Sequence, residues 1–445
     1  MSFVRSSILL CLPLAVHAAT DGTIVGNGYI RHAINPASPG SNGGGKEKRQ
    51  TNVAVANQAA SAPFTINLGL GTPNQLVTVA VDTASTELWV NPTCAKAGSA
   101  ADTQLCNSLP RFTRSTTFVD LNVEGGIQYR NGYTNFQYGL DNVAVGAARL
   151  DSQIFGVAYD SEGLASGVLG LGAPYGGGES PYPYLLDSLV YGGFIRSRAY
   201  SLDVQGAGSS EGSVLFGGVD TGKYVGALQK LPVSLDDGRY RIQVNAVGVT
   251  QPSAAASDFL YQSDVGFAAY IDSASPVSRL PANLANNIGR RFPGAQTDAS
   301  GNYIVDCDAA AAAAGTVDFR LADKTIRVPW KDFIWKMPSN GLCAVGVVGE
   351  AVSLGATFLR AAYVVLDQEN RNVHVAQAAN CGTTLVAIGS GEMPSRPSRA
   401  HHNDHFQHRQ CLGQQHSELR ACRYFVQHFP IRYADDHILA VFQHS

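Results

Sequence analysis

The chain has 445 residues, of which 45% are apolar and 47 are glycine, and this is typical of a folded, turn-rich protein that is long enough for two lobes with separate cores. The formal net charge is -3, and no segment concentrates Lys and Arg. Proteins that follow nucleic-acid phosphates need such a basic surface. The composition therefore excludes a nucleic-acid-binding protein, and we expect no nucleic-acid partner.

Residues 1–18 have the pattern of a secretory signal peptide. A charged start ending at Arg5 precedes an apolar run from Ile8 to Val16 and a small residue at Ala18. The run is too short to span a bilayer as a helix, so we expect cleavage near Ala18 and no transmembrane segment. The predicted location is extracellular, and association with the cell wall or cell surface is an open alternative.

Residues 19–49 have the composition of a propeptide or linker. The segment contains a glycine-rich run from Gly40 to Gly45 and ends at the basic pair Lys48 and Arg49. Such a composition predicts no packed core, and two adjacent basic residues are typical of a processing site. We expect cleavage after Arg49.

Short β-branched and aromatic runs, separated by Gly, Asn and Asp, begin at about residue 62 and predict an all-β protein. The clearest predicted strands are 64–68, 76–81, 127–129, 143–145, 200–202 and 214–216. Helical periodicity is best at 184–190 and 284–292. We divide this region into an N-terminal lobe, 50–235, and a C-terminal lobe, 236–389.

Cysteine spacing favours two disulfides. The chain has eight cysteines, and Cys11 is lost with the signal peptide. In an oxidising compartment, Cys94 with Cys106 closes a small loop and Cys307 with Cys343 closes a larger one. No spacing fits a zinc site. An odd number remains without an assigned state: Cys381, Cys411 and Cys422.

Residues 390–445 differ sharply in composition from the rest and are predicted to be an atypical, disordered tail. Eight of the 11 histidines lie between His401 and His444, without sustained strand or helix periodicity. A metal site in this tract is the alternative, but its histidines lack Cys or acidic partners at ligand spacing. We expect no metal site.

One short motif occurs twice, as Val-Asp-Thr-Ala-Ser at 81–85 and as Ile-Asp-Ser-Ala-Ser at 271–275. Asp82 precedes a glycine-containing apolar run at Gly170 by 88 positions, and Asp272 precedes a similar run at Gly355 by 83 positions. This internal repeat predicts two β lobes of similar plan, each of which presents one aspartate to a shared cleft.

Two carboxyls held close together cannot both ionise at low cost, so the pair keeps one proton over a wide pH range. The ionised member can take a proton from a water that attacks a peptide carbonyl, while the protonated member stabilises the oxyanion. This chemistry requires no cofactor. We expect Thr83 and Ser273 to cross-link the two loops, and Ser85 and Ser275 to donate to the outer carboxylate oxygens.

The motifs at 81–90, 129–132, 271–275 and 354–359 together resemble the pepsin-like aspartic proteases, most of all their secreted fungal members. The resemblance runs from about residue 62 to 382. It implies a bilobal double β-barrel with a central substrate cleft, a zymogen and a monomer that cleaves peptides at acid pH. It also implies a flap tyrosine at Tyr129, on a hairpin that includes Gly132, and identifies Trp89 as the partner of its hydroxyl.

Three positions depart from the pattern of this family. Ala84 and Ala274 replace a usual glycine, and each costs roughly 1 kcal/mol if its position needs positive φ. Ala356 stands where many acid-active members have an aspartate, so we expect a pH optimum above that of the most acid-loving relatives. Arg130, in the flap, is also unusual: it could favour acidic side chains in a substrate or face solvent, and we expect it to face solvent.

Two functions of different class remain open. The first is a secreted aspartic endopeptidase that cleaves extended peptides between bulky apolar residues, because a cleft between two β lobes can bind a backbone along its length. The second is a catalytically inactive binding or inhibitor protein on the same fold, in which the two alanines mark lost activity. The retention of both Asp82 and Asp272 favours the enzyme.

Overall fold

The computed structural model describes residues 24–26, 28–36, 63–207, 212–337, 340–389 and 391. The predicted signal peptide, the basic pair Lys48 and Arg49, the histidine-rich tail, Cys411 and Cys422 lie outside these residues.

The described residues form a mostly β structure, and the predicted all-β class is confirmed. The strands of the first half are β1 Ile24–Gly26, β2 Tyr29–Pro36, β3 Phe64–Leu70, β4 Gln75–Asp82, β5 Leu88–Val90, β6 Val119–Tyr129, β7 Gly132–Val145, β8 Ala148–Glu162, β9 Gly167–Gly170, β10 Ala199–Asp203, β11 Gly212–Phe216, β12 Gly218–Asp220 and β13 Tyr224–Pro232. Those of the second half are β14 Arg241–Thr250, β15 Asp258–Ile271, β16 Ser278–Leu280, β17 Gln296–Thr297, β18 Tyr303–Val305, β19 Thr316–Leu321, β20 Lys324–Pro329, β21 Ile334–Lys336, β22 Cys343–Val345, β23 Val347–Gly349, β24 Ser353–Leu354, β25 Ala362–Asp367, β26 Asn372–Ala378 and β27 Leu385–Ala387.

The helices are short and lie between strands. They are α1 Ala100–Ser108, α2 Leu185–Tyr191, α3 Ala282–Gly289, α4 Cys307–Ala312, α5 Trp330–Phe333 and α6 Ala356–Leu359, with 3₁₀ turns at Cys94–Lys96 and Tyr175–Gly177. The two helical segments predicted from periodicity correspond to α2 and α3. The structure begins α3 two residues earlier than predicted, because its first turn follows Pro281.

A large sheet runs through both halves of the chain. Its strand order is β13-β26-β25-β10-β11-β2-β3-β4-β9-β5-β8-β7-β6, with β1 paired to β2. Strands β25 and β26, near the end of the second half, pair with β10 and β13 of the first half. A seven-stranded sheet, β20-β19-β14-β15-β24-β16-β23, belongs to the second half alone. The fold is bilobal, and the shared strands join the two lobes.

Strand β2 corrects the expectation that residues 19–49 contribute nothing to a core. It pairs with β11 on one side and with β3 on the other. Ile30 and Ile34 are buried, at 0% and 2% exposure. Each such aliphatic side chain stabilises the fold by roughly 1.5–3 kcal/mol. The glycine-rich composition further along misled the prediction, because it hid a strand in which the buried side chains of Ile30, His32 and Ile34 alternate with more exposed ones.

The internal repeat has a structural counterpart at the end of one strand in each lobe. Strand β4 pairs in parallel with β9, in a register that places Asp82 opposite Gly170. Strand β15 pairs in parallel with β24, and its last residue, Ile271, lies opposite Leu354. The amide N–H of Asp272 then donates to the Leu354 carbonyl at 3.0 Å. Both motifs therefore begin where a strand leaves an equivalent parallel pair.

Candidate active site

Asp82 is the last residue of β4, and its side chain is 3% exposed. The Ala84 N–H donates to Oδ1 at 2.8 Å, and Ser85 Oγ donates to Oδ2 at 2.6 Å. The expected contact from Ser85 is therefore present. Because both carboxylate oxygens accept a hydrogen bond, the orientation of the Asp82 carboxyl is fixed.

Thr83 and Ser273 form a reciprocal cross-link between the two aspartate loops. Thr83 N–H donates to Ser273 Oγ at 3.1 Å, and Ser273 N–H donates to Thr83 Oγ1 at 3.1 Å. Each hydroxyl also donates to a backbone carbonyl of the opposite lobe, Thr83 to Ile271 at 2.8 Å and Ser273 to Val81 at 2.7 Å. Both side chains are fully buried. This approximately twofold arrangement holds the residues before Asp82 and Asp272 together.

The alanines at the third position of each motif are not strained. Neither Ala84 nor Ala274 has positive φ. The condition under which each would cost about 1 kcal/mol is therefore not met, and the Ala84 N–H still binds the Asp82 carboxylate. These substitutions give no structural reason for lost activity.

Ser275 corrects one expectation about the second loop. Its hydroxyl donates to the Val277 carbonyl at 2.9 Å instead of to the Asp272 carboxylate. The guanidinium of Arg279 donates to the same Ser275 oxygen. The Ser275 hydroxyl is therefore engaged by Val277 and Arg279. The Ser275 N–H donates to the backbone carbonyl of Asp272 at 3.3 Å, and it also opposes the rise in the pKa of the Asp272 carboxyl.

The electrostatic environment favours the protonated form of the two carboxyls. Burial raises the pKa of Asp82, although the hydrogen bonds from Ser85 and the Ala84 N–H and the charge of Arg239 oppose this rise. Burial first, and then the negative charge of Asp82, raise the pKa of Asp272 to about 6. Since each carboxylate disfavours ionisation of the other, the pair can be half-protonated at mildly acid pH.

A β-hairpin made of β6 and β7 carries Tyr129 at its tip. Trp89 Nε1–H donates to the Tyr129 hydroxyl at 2.8 Å, which is the pairing that the resemblance implied. Gly132 pairs with Tyr129 across the turn. A Cβ at Gly132 would lie 1.9 Å from the Glu162 carbonyl oxygen, so only glycine allows β8 to pass this closely. The hairpin therefore has the geometry of a flap beside the aspartates.

Arg130, in the turn of this hairpin, does not simply face solvent as expected. Its Nη1 donates to Glu350 Oε2 at 2.7 Å, between residues that are 220 positions apart. The side chain is 38% exposed, so the ion pair lies at the surface. The flap thereby contacts the second half of the chain.

Comparison with known proteins agrees with this geometry. Residues 63–378 match the family model described as eukaryotic aspartyl protease. The chain belongs to this family. Its enzyme class is therefore that of an aspartic-type endopeptidase, a hydrolase.

Named relatives of this aspartyl protease are fungal. A probable aspartic-type endopeptidase, opsB of Aspergillus oryzae, is 32% identical over 348 residues, which are 73% of this chain and 71% of that protein. Candidapepsin-3 of Candida albicans is 31% identical over 362 residues, 76% of this chain and 85% of that protein. A crystal structure of the aspartic proteinase from Irpex lacteus shares the fold, with a TM-score of 0.56 and 20% identity over 74% of this chain and 97% of that one.

Both predicted disulfides of the protease are formed, between Cys94 and Cys106 and between Cys307 and Cys343. Cys381, whose state the sequence left open, is also disulfide-bonded. In the described ranges, no three Cys, His, Asp or Glu side chains gather as metal ligands. Within the same residues, no helix is both long enough and apolar enough to cross a membrane.

Sequence reasoning missed two ionisable groups near Asp82 and Asp272. Arg279 lies in β16, where it is 9% exposed, and a charged residue in a short buried strand beside the motif is the signal that could have found it. Glu87 follows the first motif and accepts a hydrogen bond from the Tyr182 hydroxyl. Burial raises its pKa to about 7, and hydrogen bonding with Tyr138 partly offsets this rise.

Proposed function

We propose that the chain is a secreted endopeptidase in which Asp82 and Asp272 together activate a water molecule. The reciprocal Thr83–Ser273 cross-link is the observation that carries this proposal. It joins two loops that the sequence separates by 190 positions, and general acid–base catalysis requires that its two carboxyls be held in fixed register.

The proposed chemistry is the transfer of protons between water, substrate and the carboxyl pair. The ionised carboxylate removes a proton from water, and the resulting hydroxide equivalent attacks the scissile carbonyl carbon. The protonated carboxyl donates its proton to the carbonyl oxygen as the carbonyl carbon becomes tetrahedral. The carboxyl that took the proton from water then gives it to the leaving amine as the C–N bond breaks, and the tetrahedral intermediate returns a hydroxyl proton to the other carboxylate as the carbonyl re-forms. None of these steps needs a metal ion or a cofactor.

The flap supplies the second element of the proposal. Tyr129 lies close enough to the dyad for the charge of Asp82 to add to burial in raising the pKa of the tyrosine, which therefore stays protonated at acid and neutral pH. The hairpin can close over an extended peptide and exclude water from the reacting carbonyl. We propose that a monomer binds peptides in this way and prefers bulky apolar residues at the cleaved bond.

Secretion and activation are proposed from the N-terminal sequence. Residues 1–18 have signal-peptide character, Lys48 and Arg49 form a basic processing pair, and relatives of the chain include proteins named as secreted aspartic proteases. Because β2 lies between β3 and β11, processing after Arg49 breaks the covalent link while the sheet hydrogen bonds of β2 remain.

The test is a cleavage assay on unstructured peptides from pH 2 to pH 7, with protein processed after Arg49. We expect internal cleavage that pepstatin blocks, with a maximum above about pH 3, because burial and the charge of Asp82 raise the pKa of Asp272. Asp82→Asn is the matched control and is expected to be inactive. Absence of Asp82-dependent cleavage would favour the binding or inhibitor protein.

A further inference from the structure

Glu350 accepts hydrogen bonds from two arginines that belong to different lobes. Arg130 of the flap donates from Nη1 to Oε2 at 2.7 Å, and Arg279 of β16 donates from Nε to the same oxygen at 3.1 Å. Glu350 lies in the short connection between β23 and β24. One carboxylate therefore joins the tip of the flap to the strand that follows the second aspartate loop.

The contacts of Arg279 continue from Glu350 to that loop. Its Nη1 donates to Ser275 Oγ, and its charge is one of those that oppose the rise in the pKa of Asp272. The other charged groups that act on Asp272 are Asp82 and Arg239. Arg130, Glu350, Arg279 and Ser275 thus form a connected series from the flap to the carboxyl pair.

We infer that Glu350 is a positioning residue that holds the flap across the cleft and, through Arg279, sets the charge environment of Asp272. This inference rests on the proposed protease function. A peptide can enter only when the flap lifts, which breaks the Arg130–Glu350 pair, and the pair re-forms when the flap closes. Exposed ion pairs contribute at most about 1 kcal/mol, so this contact can open in every catalytic cycle.

The two contacts of Glu350, one with Arg130 and one with Arg279, predict different kinetic effects. Arg130→Gln removes only the flap contact, so KM should rise roughly two- to fivefold with kcat and the pH profile unchanged. Arg279→Gln removes a positive charge beside Asp272, so the pH profile should move to higher pH by about 0.5 unit or more. Arg279→Lys keeps the charge and should restore the profile of the parent protein.

Glu350→Gln weakens both of these contacts. The flap loses its partner, so KM should rise as in Arg130→Gln. Arg279 keeps its charge but loses the carboxylate that partly cancels it, so the pH profile should move to lower pH, opposite to the effect of Arg279→Gln. Arg291→Gln is the matched control, because Arg291 forms an ion pair of similar exposure with Asp258 at 2.6 Å. This control should leave KM and the profile unchanged.

Hydrogen exchange supplies a readout that does not depend on activity. Amides of β6 and β7 should exchange faster in Arg130→Gln and Glu350→Gln than in the parent protein and in Arg291→Gln, because flap opening becomes easier. An unchanged exchange rate or an unmoved pH profile in Glu350→Gln would overturn the inference while Asp82-dependent cleavage stood. If the parent protein cleaves nothing, the proposed function fails, and the exchange rates still decide whether the flap is held.

Discussion

Replacing Thr83 by valine tests the cross-link between the two aspartate loops. Valine has nearly the shape of threonine, so the fully buried site keeps its packing and loses only the hydroxyl. Two hydrogen bonds disappear, one to the Ile271 carbonyl and one from the Ser273 N–H. Leaving a buried donor without its acceptor costs about 1–3 kcal/mol, and the second lost bond adds roughly 1 kcal/mol. We therefore expect a loss of about 2–4 kcal/mol in unfolding free energy.

Activity should fall further than stability alone explains. The cross-link sets the distance between the loops, and a misplacement of about 1 Å can cost roughly 100-fold in rate. Denaturant unfolding and kcat/KM, measured below the unfolding transition, separate the two effects. Thr134→Val is the control, because the Thr134 hydroxyl is fully buried and has no hydrogen-bond partner among the described residues. That change should be neutral or stabilising, so it gives the effect on stability and rate of a Thr→Val change that breaks no hydrogen bond.

A double-mutant cycle with Ser273→Ala completes the test. Because Thr83 and Ser273 serve each other as donor and acceptor, their effects should be non-additive by about 1 kcal/mol or more. If Thr83→Val matched Thr134→Val in stability and rate, the cross-link would carry none of the role assigned to it.

Three further predictions concern strain, pH and the disulfides. Ala84→Gly should not raise kcat and should lower stability by up to roughly 1 kcal/mol, because the position has no positive φ to relieve; a large gain in kcat would contradict this. Burial raises the pKa of Glu87 from 4.5 to about 7, so the stabilising effect of its protonated form is complete below about pH 4.5 and is lost as pH rises through 7. The unfolding free energy should therefore decline between about pH 4.5 and pH 7, and Glu87→Gln should recover about 2 kcal/mol of this decline at pH 7.5. If the unfolding free energy of the parent and of Glu87→Gln had the same slope against pH, the raised pKa of Glu87 would be refuted. Replacing Cys307 and Cys343 by serine should cost about 3–4 kcal/mol in thermal or denaturant unfolding, roughly 1 kcal/mol more than the same change at the shorter Cys94–Cys106 loop, and an inverted order would contradict the loop-entropy reasoning.

The sequence predicted the parts of the site that a local motif encodes. The repeat around Asp82 and Asp272 placed both loops correctly, because a strand that ends in Asp and a hydroxyl residue has few local geometries. The contacts that were mispredicted depend on residues outside the repeated motifs, which the motifs themselves do not specify. Ser275 turns toward Val277 because Arg279 donates to it, and Arg130 reaches Glu350 because the flap folds over the other lobe.

Strand β2 illustrates the same limit at the level of the fold. The sequence does not indicate a strand over its eight residues, because the glycine-rich run after them lowers the apolar content of residues 19–49 as a whole. They become a strand because β11 and β3, which are distant in sequence, offer two edges to pair with. Tertiary contacts decide whether such a segment forms a strand, and the sequence pattern alone does not.

The central claim is that Asp82 and Asp272 share one catalytic task, and the most direct test measures kcat/KM for Asp82→Asn and Asp272→Asn at the pH optimum of the parent protein. Each change is nearly isosteric and removes a titrating carboxyl. We expect each variant to lose roughly 10⁴-fold or more in kcat/KM while its circular dichroism and unfolding transition remain those of a folded protein. A folded variant of either aspartate that keeps activity within about tenfold of the parent would contradict the shared role.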